Sequence, residues 1–168
     1  MSAPASATYE CTADVPAISD LAWTDNCDGS GTVSGTESSD GASCPETITR
    51  EWTYIDACNN STTVSQVITV TDTESPVLDS APASVTIECT ADVPAMTDIN
   101  WTDNCDGTGV VSGTDVSDGA SCPETITRTW TYTDACNNTT SVSQAIVIGD
   151  TIDPVSYTHL TLPTTPYV

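Results

Sequence analysis

The segment "ETITREWTYID", Glu46 to Asp56, decides the fold. Its residues alternate with a period of two. Ile48, Arg50, Trp52 and Tyr54 point to one side, and Thr47, Thr49, Glu51, Thr53 and Ile55 to the other. The segment returns as "ETITRTWTYTD" from Glu124, and its two changes, Glu51 to Thr129 and Ile55 to Thr133, both fall on the second face. Variation on one face only predicts a strand whose second face meets solvent and whose Trp52 and Trp130 point inward. Arg50, the only cation of its repeat, lies on the tryptophan face, where stacking on an aromatic ring or pairing with a carboxylate is expected.

Outward from this strand, "TVSQVITVTD", Thr63 to Asp72, alternates as well, with Val64, Gln66, Ile68 and Val70 on one side. "ATYEC", "DLAWTD" and "GTVSGTES" are shorter strand candidates, and Asp28-Gly29 and Asp40-Gly41 are turn signals between them. No stretch carries a helical period. A lone pair of strands is not stable by itself. Several short strands around an inward tryptophan predict an all-β chain of two tandem immunoglobulin-like β-sandwich domains stabilised by disulfides.

The duplication runs through the chain at a step of 78 residues, and roughly three-quarters of the aligned positions are identical. Such a period marks tandem copies of one small domain. The expected units are residues 2–79 and 80–156, with a non-repeat tail at 157–168. That tail, "YTHLTLPTTPYV", lacks the acidity of the rest and resembles adapter-derived read-through at the ends of metagenomic gene fragments. It is expected to be artefactual and disordered. Its "LPTTP" is similar to a sortase signal but has Pro166 where glycine is needed. The repeats are expected to be a slice of a longer array.

Each repeat holds four cysteines: Cys11, Cys27, Cys44 and Cys58, then Cys89, Cys105, Cys122 and Cys136. Spacings of 15, 16 and 13 intervening residues contain no Cys-x-x-Cys pair, which argues against a zinc site. In a small Ser/Thr/Gly-rich unit without phenylalanine they read as disulfides formed in an oxidising compartment. Three pairings per repeat are open. The expectation leans to Cys11–Cys58 with Cys27–Cys44, and to Cys89–Cys136 with Cys105–Cys122, which ties the first strand to a late one.

Twenty-four acidic residues stand against Arg50 and Arg128, a formal charge of −22 with no lysine. Phosphate backbones and anionic membrane surfaces are repelled by such a chain, so nucleic acid and membrane insertion are excluded as expectations. The carboxylates either keep the surface soluble or gather to hold divalent cations. "WTDNCDGSG", Trp23 to Gly31, and its copy from Trp101 have the Asp/Asn/Gly content of a calcium loop without EF-hand spacing. The plainer reading is a turn in which Asp25 and Asp28 cap backbone amides. A calcium site must then draw on more than one loop. Its candidate ligands are Asp25, Asp28, Asp56, Asp72, Glu74, Asp103, Asp106, Asp134 and Asp150, with the inter-repeat junction "TVTDTESPV" as the meeting point. Catalysis has little support: the only histidine, His159, lies in the tail, and no catalytic residues are assigned.

At "TDNCDG", "RTWTYTDACNN", "SQAIVIGDTIDP" and "ECTADVP" the sequence resembles the hyalin-repeat-like, immunoglobulin-like modules of secreted and surface proteins of Bacteroidetes. The resemblance covers about residues 2–155. Asn59 and Asn137 stand where that family's pattern usually has glycine, and asparagine tolerates positive φ better than most residues. The resemblance implies a non-catalytic stalk, spacer or adhesion module of a larger extracellular or cell-surface protein. Neighbouring repeats are its expected partners and calcium its candidate cofactor. Two other roles stay open: binding of a glycan or protein ligand by the modules, favoured if Trp23 and Trp101 lie on an open face, and service as accessory units of a secreted hydrolase.

Overall fold

The computed structural model describes residues 1–156, so the expectation made for the tail lies outside the described residues. The first repeat comprises β1 (Ala7–Tyr9), β2 (Leu21–Asp25), β3 (Gly29–Val33), β4 (Thr36–Ser39), β5 (Glu46–Ile55) and β6 (Ser61–Val70). A two-residue strand, β7 (Val77–Leu78), precedes the second set: β8 (Val85–Ile87), β9 (Ile99–Asp103), β10 (Gly107–Val111), β11 (Thr114–Ser117), β12 (Glu124–Thr133) and β13 (Thr139–Ile148). The helical content of the described residues is confined to single 3-10 turns at Thr12–Asp14 and Thr90–Asp92. The chain is all-β, as its alternation predicts.

Each repeat has one four-stranded sheet, in the order β1-β6-β5-β4 and, in the second, β8-β13-β12-β11. The long hairpins β5–β6 and β12–β13 run antiparallel through ten residue pairs each, and the first strand joins the last in parallel. A β2–β3 hairpin forms the opposing layer of the first repeat, and a β7-β9-β10 sheet that of the second. Val77 and Leu78, which the repeat phase puts in the first unit, thus add an edge strand to the second by pairing with Thr102 and Trp101.

The core follows the alternation. Trp52 and Trp130 are 1% and 0% exposed, while Glu51, Thr53 and Ile55 on the opposite face lie in solvent. Each indole donates its N–H across the sandwich, Trp52 to the Ser19 carbonyl at 2.9 Å and Trp130 to the Thr97 carbonyl at 2.9 Å. Ile48, Ile68 and Val70 pack beside Trp52's strand, and Leu78 and Ile99 against Trp130. Arg50 is buried and pairs with Glu37 at 2.7 Å, and Arg128 binds Asp115 through two nitrogens at 2.7 and 2.9 Å. Both guanidinium groups also donate to carbonyls of the preceding loop, at Pro16 and at Pro94 and Ala95. Pairing with a carboxylate is the outcome of the two anticipated for this cation.

The expected disulfides do not form. Neither Cys11–Cys58, Cys27–Cys44, Cys89–Cys136 nor Cys105–Cys122 occurs; the pairs are Cys11–Cys105 and Cys44–Cys136, both between repeats. Cys27, Cys58, Cys89 and Cys122 remain thiols on the surface. The reason is strand length. Cys58 lies in the β5–β6 turn, whereas Cys11 and Cys44 sit at the other end, beside the Glu46–Val70 register pair. A ten-residue strand spans roughly 33 Å, and a disulfide needs Cα atoms within about 7 Å. The observed pairs have Cα separations of 5.2 and 5.1 Å.

Candidate functional site

The four cysteines of a repeat therefore divide between two end faces. The entry face carries the β2–β3 and β5–β6 turns, with Cys27 and Cys58; the exit face carries the segment after β1 and the start of β5, with Cys11 and Cys44. At the junction, the exit face of the first repeat meets the entry face of the second, where the β9–β10 and β12–β13 turns supply Cys105 and Cys136.

The entry face is rigid because its turns bond to themselves and to each other. Asp103 Oδ1 accepts from the amides of Cys105 and Asp106 at 2.9 and 2.8 Å, which shapes the loop around Cys105. Asp134 accepts from the amides of Cys136 and Asn138, both at 2.8 Å, and from the Asn138 side chain at 2.8 Å. Asp106 Oδ2 bridges the turns by accepting from Tyr132 Oη at 3.2 Å and the Ala135 amide at 3.1 Å. The same contacts recur in the first repeat from Asp25, Asp56 and Asp28. Asn59 and Asn137 adopt φ of 67° and 71°, the left-handed region that asparagine tolerates better than most residues. Trp23 and Trp101 stack on Tyr54 and Tyr132, with ring centroids 3.8 Å apart in both repeats, and are half-buried. One ring face of each tryptophan is covered.

Burial and its bond to Asp28, with the nearby Asp25 and Asp56 charges adding to them, push the Tyr54 hydroxyl up to about 12. Burial and the bond to Asp106 raise Tyr132. The side-chain and amide bonds from Asn60 hold Asp56 below the usual carboxylate range.

Between the faces runs the linker. Asp72 is buried; its Oδ1 accepts from the Glu74 amide at 3.0 Å and from Asn104 Nδ2 at 3.3 Å, and its carbonyl accepts from Asn138 Nδ2 at 3.0 Å. Pro76 is fully buried, while Thr73, Glu74 and Ser75 between them are exposed. Glu10, next to Cys11, accepts from the Thr73 amide at 2.7 Å and holds the linker's first turn. A cavity of about 220 Å³ lies here, lined by Cys11, Thr12, Asp72, Asn104, Asp106 and Cys136 among others.

Of the nine candidate calcium ligands, the structure brings Asp72 and Asp103 together: an oxygen of each and the Cys105 sulfur lie within 4.8 Å of one another. That sulfur is disulfide-bonded and supplies no thiolate. Asp103 Oδ2 is buried without a hydrogen-bond partner. Asp106 lines the same cavity, and Asp134 is buried in the turn beside it. Glu74 is exposed. Asp25, Asp28 and Asp56 do not join this group, because they occupy the entry face of the first repeat, a strand length away; Asp150 is exposed beyond β13. Asn104 and Asn138, the side chains that bind Asp72, were not among the expected residues. Their signal is position: each directly adjoins or nearly adjoins a cysteine in a turn.

Cross-linked β-sandwich repeats joined end to end define a class of tandem-module protein, and their disulfides fit an extracellular location. The model of the HYR-like domain with four cysteines matches the chain twice, at residues 1–70 and 77–148, and the chain belongs to that family. HYR-like domains are a non-catalytic type of structural or adhesion module of the extracellular or cell-surface space. No curated protein matches the sequence. No helix among the described residues is long and apolar enough to cross a membrane.

Proposed function

We propose that the chain is a stiff spacer of an extracellular array, transmitting position and force between the domains it separates. The observation that carries this reading is the pair of disulfides that cross the junction, Cys11–Cys105 and Cys44–Cys136. One bond between two domains leaves a swivel; two bonds rooted on different loops remove it. The buried Asp72 and Pro76 fix the linker between them, and proline shortens its range of conformations. The acidic surface supports the same role by keeping neighbouring arrays apart.

Small-angle scattering of the intact chain, with and without reductant, tests the proposal. A single end-to-end distance in the oxidised protein and a broadened distribution after reduction are expected. An oxidised protein that scatters as two freely hinged domains overturns it.

A finer part of the proposal concerns calcium at the junction. Asp72 and Asp103 are two carboxylates held together in a poorly hydrated place, and the unpartnered Asp103 Oδ2 supports a cation there. Calcium takes six to eight oxygens, so carbonyls and water must complete the shell. Isothermal titration should give a calcium heat that Asp103→Asn removes. No heat, with melting unchanged by chelator, rejects the cation and leaves the spacer reading intact.

A further inference from the structure

We infer that both outer ends of the chain are built to be stapled to a further four-cysteine repeat. The exit face would bond through Cys89 and Cys122 and the entry face through Cys27 and Cys58. The inference deepens the spacer reading and rests on it. The occupant is another four-cysteine repeat, and a second copy of this chain supplies one.

The internal junction is the template. Moving it by one period of 78 residues turns Cys11 and Cys44 into Cys89 and Cys122, and turns Cys105 and Cys136 into Cys27 and Cys58. These are the four thiols left unpaired, and all are exposed. They do not lie scattered: two belong to the outer exit face and two to the outer entry face.

A second observation is independent of the cysteines. Equivalent residues in the two repeats differ in burial according to whether a neighbour is present. Asp72 is 7% exposed, whereas Asp150, in the same position one repeat on, is open to solvent. Asp134 is buried and its counterpart Asp56 is half-buried. The local hydrogen bonds are nevertheless the same, because Asp56 holds Cys58 and Asn60 as Asp134 holds Cys136 and Asn138. The outer entry face is thus already in its docked conformation.

A third observation is the free edge of β2. In the second repeat, Val77 and Leu78 pair with Thr102 and Trp101. The corresponding Thr24 and Trp23 have no strand on that side among the described residues, and a cavity of about 90 Å³ is lined by Trp23, Thr24, Asp25, Tyr54, Asp56 and Asn60 among others. The matching segment is present at the far end: "DTIDPV", Asp150 to Val155, repeats the linker "DTESPV". Its Val155 stands where Val77 stands. One copy therefore carries a segment that would bring Val155 to that edge, with Ser156 in the place of Leu78, and the thiols that would partner Cys27 and Cys58 on the other copy's entry face.

The covalent step is thiol–disulfide exchange with a small linear disulfide such as oxidised glutathione. The Cys89 thiolate attacks it and releases one reduced thiol. The Cys27 thiolate of the next copy then attacks the mixed disulfide and releases the second. Two protons leave the protein thiols and two electrons pass to the small disulfide; Cys122 and Cys58 react in the same way.

The test uses the full chain refolded in a glutathione redox buffer, followed by non-reducing electrophoresis and peptide mapping. A ladder of multimers is expected, containing Cys89–Cys27 and Cys122–Cys58 links and collapsing to monomer in reductant. Two variants sharpen the result. Cys27→Ser/Cys58→Ser keeps only the exit thiols, and Cys89→Ser/Cys122→Ser keeps only the entry thiols. Each alone should stay monomeric, and their mixture should stop at a one-to-one dimer of twice the mass. Self-dimerisation of either variant, or monomers holding Cys27–Cys58 and Cys89–Cys122 links, overturns the inference. Mapping of Cys11–Cys105 and Cys44–Cys136 in the same samples separates the cases: if these internal links are intact while no ladder forms, the spacer reading stands and only this inference falls.

Discussion

At the scale of single residues, the tightest constraint is Gly35. A methyl group added there would sit 2.5 Å from Trp52 Nε1, an atom held by the Ser19 carbonyl in a site that is 1% exposed. The ring has nowhere to move. Gly35→Ala should therefore destabilise the first repeat by about 1–3 kcal/mol, as overpacked cores do, read as a lower urea midpoint with unchanged near-native strand content. The arginines give a second prediction. Removing Arg128 leaves Asp115 and the Pro94 and Ala95 carbonyls without their donor, so Arg128→Met should cost on the order of 1–3 kcal/mol by thermal melting. The arginine and tryptophan positions were legible in the sequence, since alternation along Glu46–Asp56 and its copy puts Arg50 with Trp52, and Arg128 with Trp130, on one face. Gly35's role was not, because nothing in the local pattern shows that the loop crosses the indole.

At the scale of elements, turns depend on aspartates whose carboxylates accept backbone amides. Asp40 and Asp118 are held below their ordinary value chiefly by the amides of Ala42 and Ala120, Asp56 by Asn60, and Asp115 by Arg128. A depressed folded-state pKa contributes stability that is complete above the unfolded value of 3.8 and is lost as pH falls through the folded one. Melting temperature should accordingly drop as pH falls below about 4, and Asp40→Asn should flatten part of that drop. The alkaline limb has the opposite sign. Tyr54 is raised from 10.0 to about 12, so its stabilising bond to Asp28 is lost across that interval. Ultraviolet titration should show one or more tyrosines ionising late, and Asp28→Asn should bring Tyr54 back toward its ordinary range. The strands themselves were readable from period-two patterning. The pairing of cysteines was not legible, because the ten-residue strand between Cys44 and Cys58 puts Cys11 and Cys44 at one end of the repeat and Cys27 and Cys58 at the other.

At the scale of the whole molecule, the cysteines couple domains that each have their own core. Cys11–Cys105 joins residues 94 apart in sequence. A loop of that length limits the unfolded chain by up to about 4.6 kcal/mol in the chain-entropy account. Cys11→Ser/Cys105→Ser should lower the unfolding free energy by a large part of this figure, and serine at Cys44 and Cys136 as well should split one cooperative transition into two. A single transition that survives loss of all four sulfurs would show that the linker and its Asp72 contacts suffice. The junction was only partly legible. "TVTDTESPV" is the stretch in which Asp72 comes near Asp103, yet nothing within one repeat points to the staples, since the partners of Cys11 and Cys44 lie in the next copy.

The exposed stretch Thr73–Ser75 lies between two anchors, and both sulfur bonds span it. A protease that cleaves there severs the main chain without parting the halves, because each half still grips the other through Cys11–Cys105 and Cys44–Cys136. Nicked molecules would run as one species until reduced and as two afterwards. A pair of repeats joined this way outlasts cuts in its own backbone.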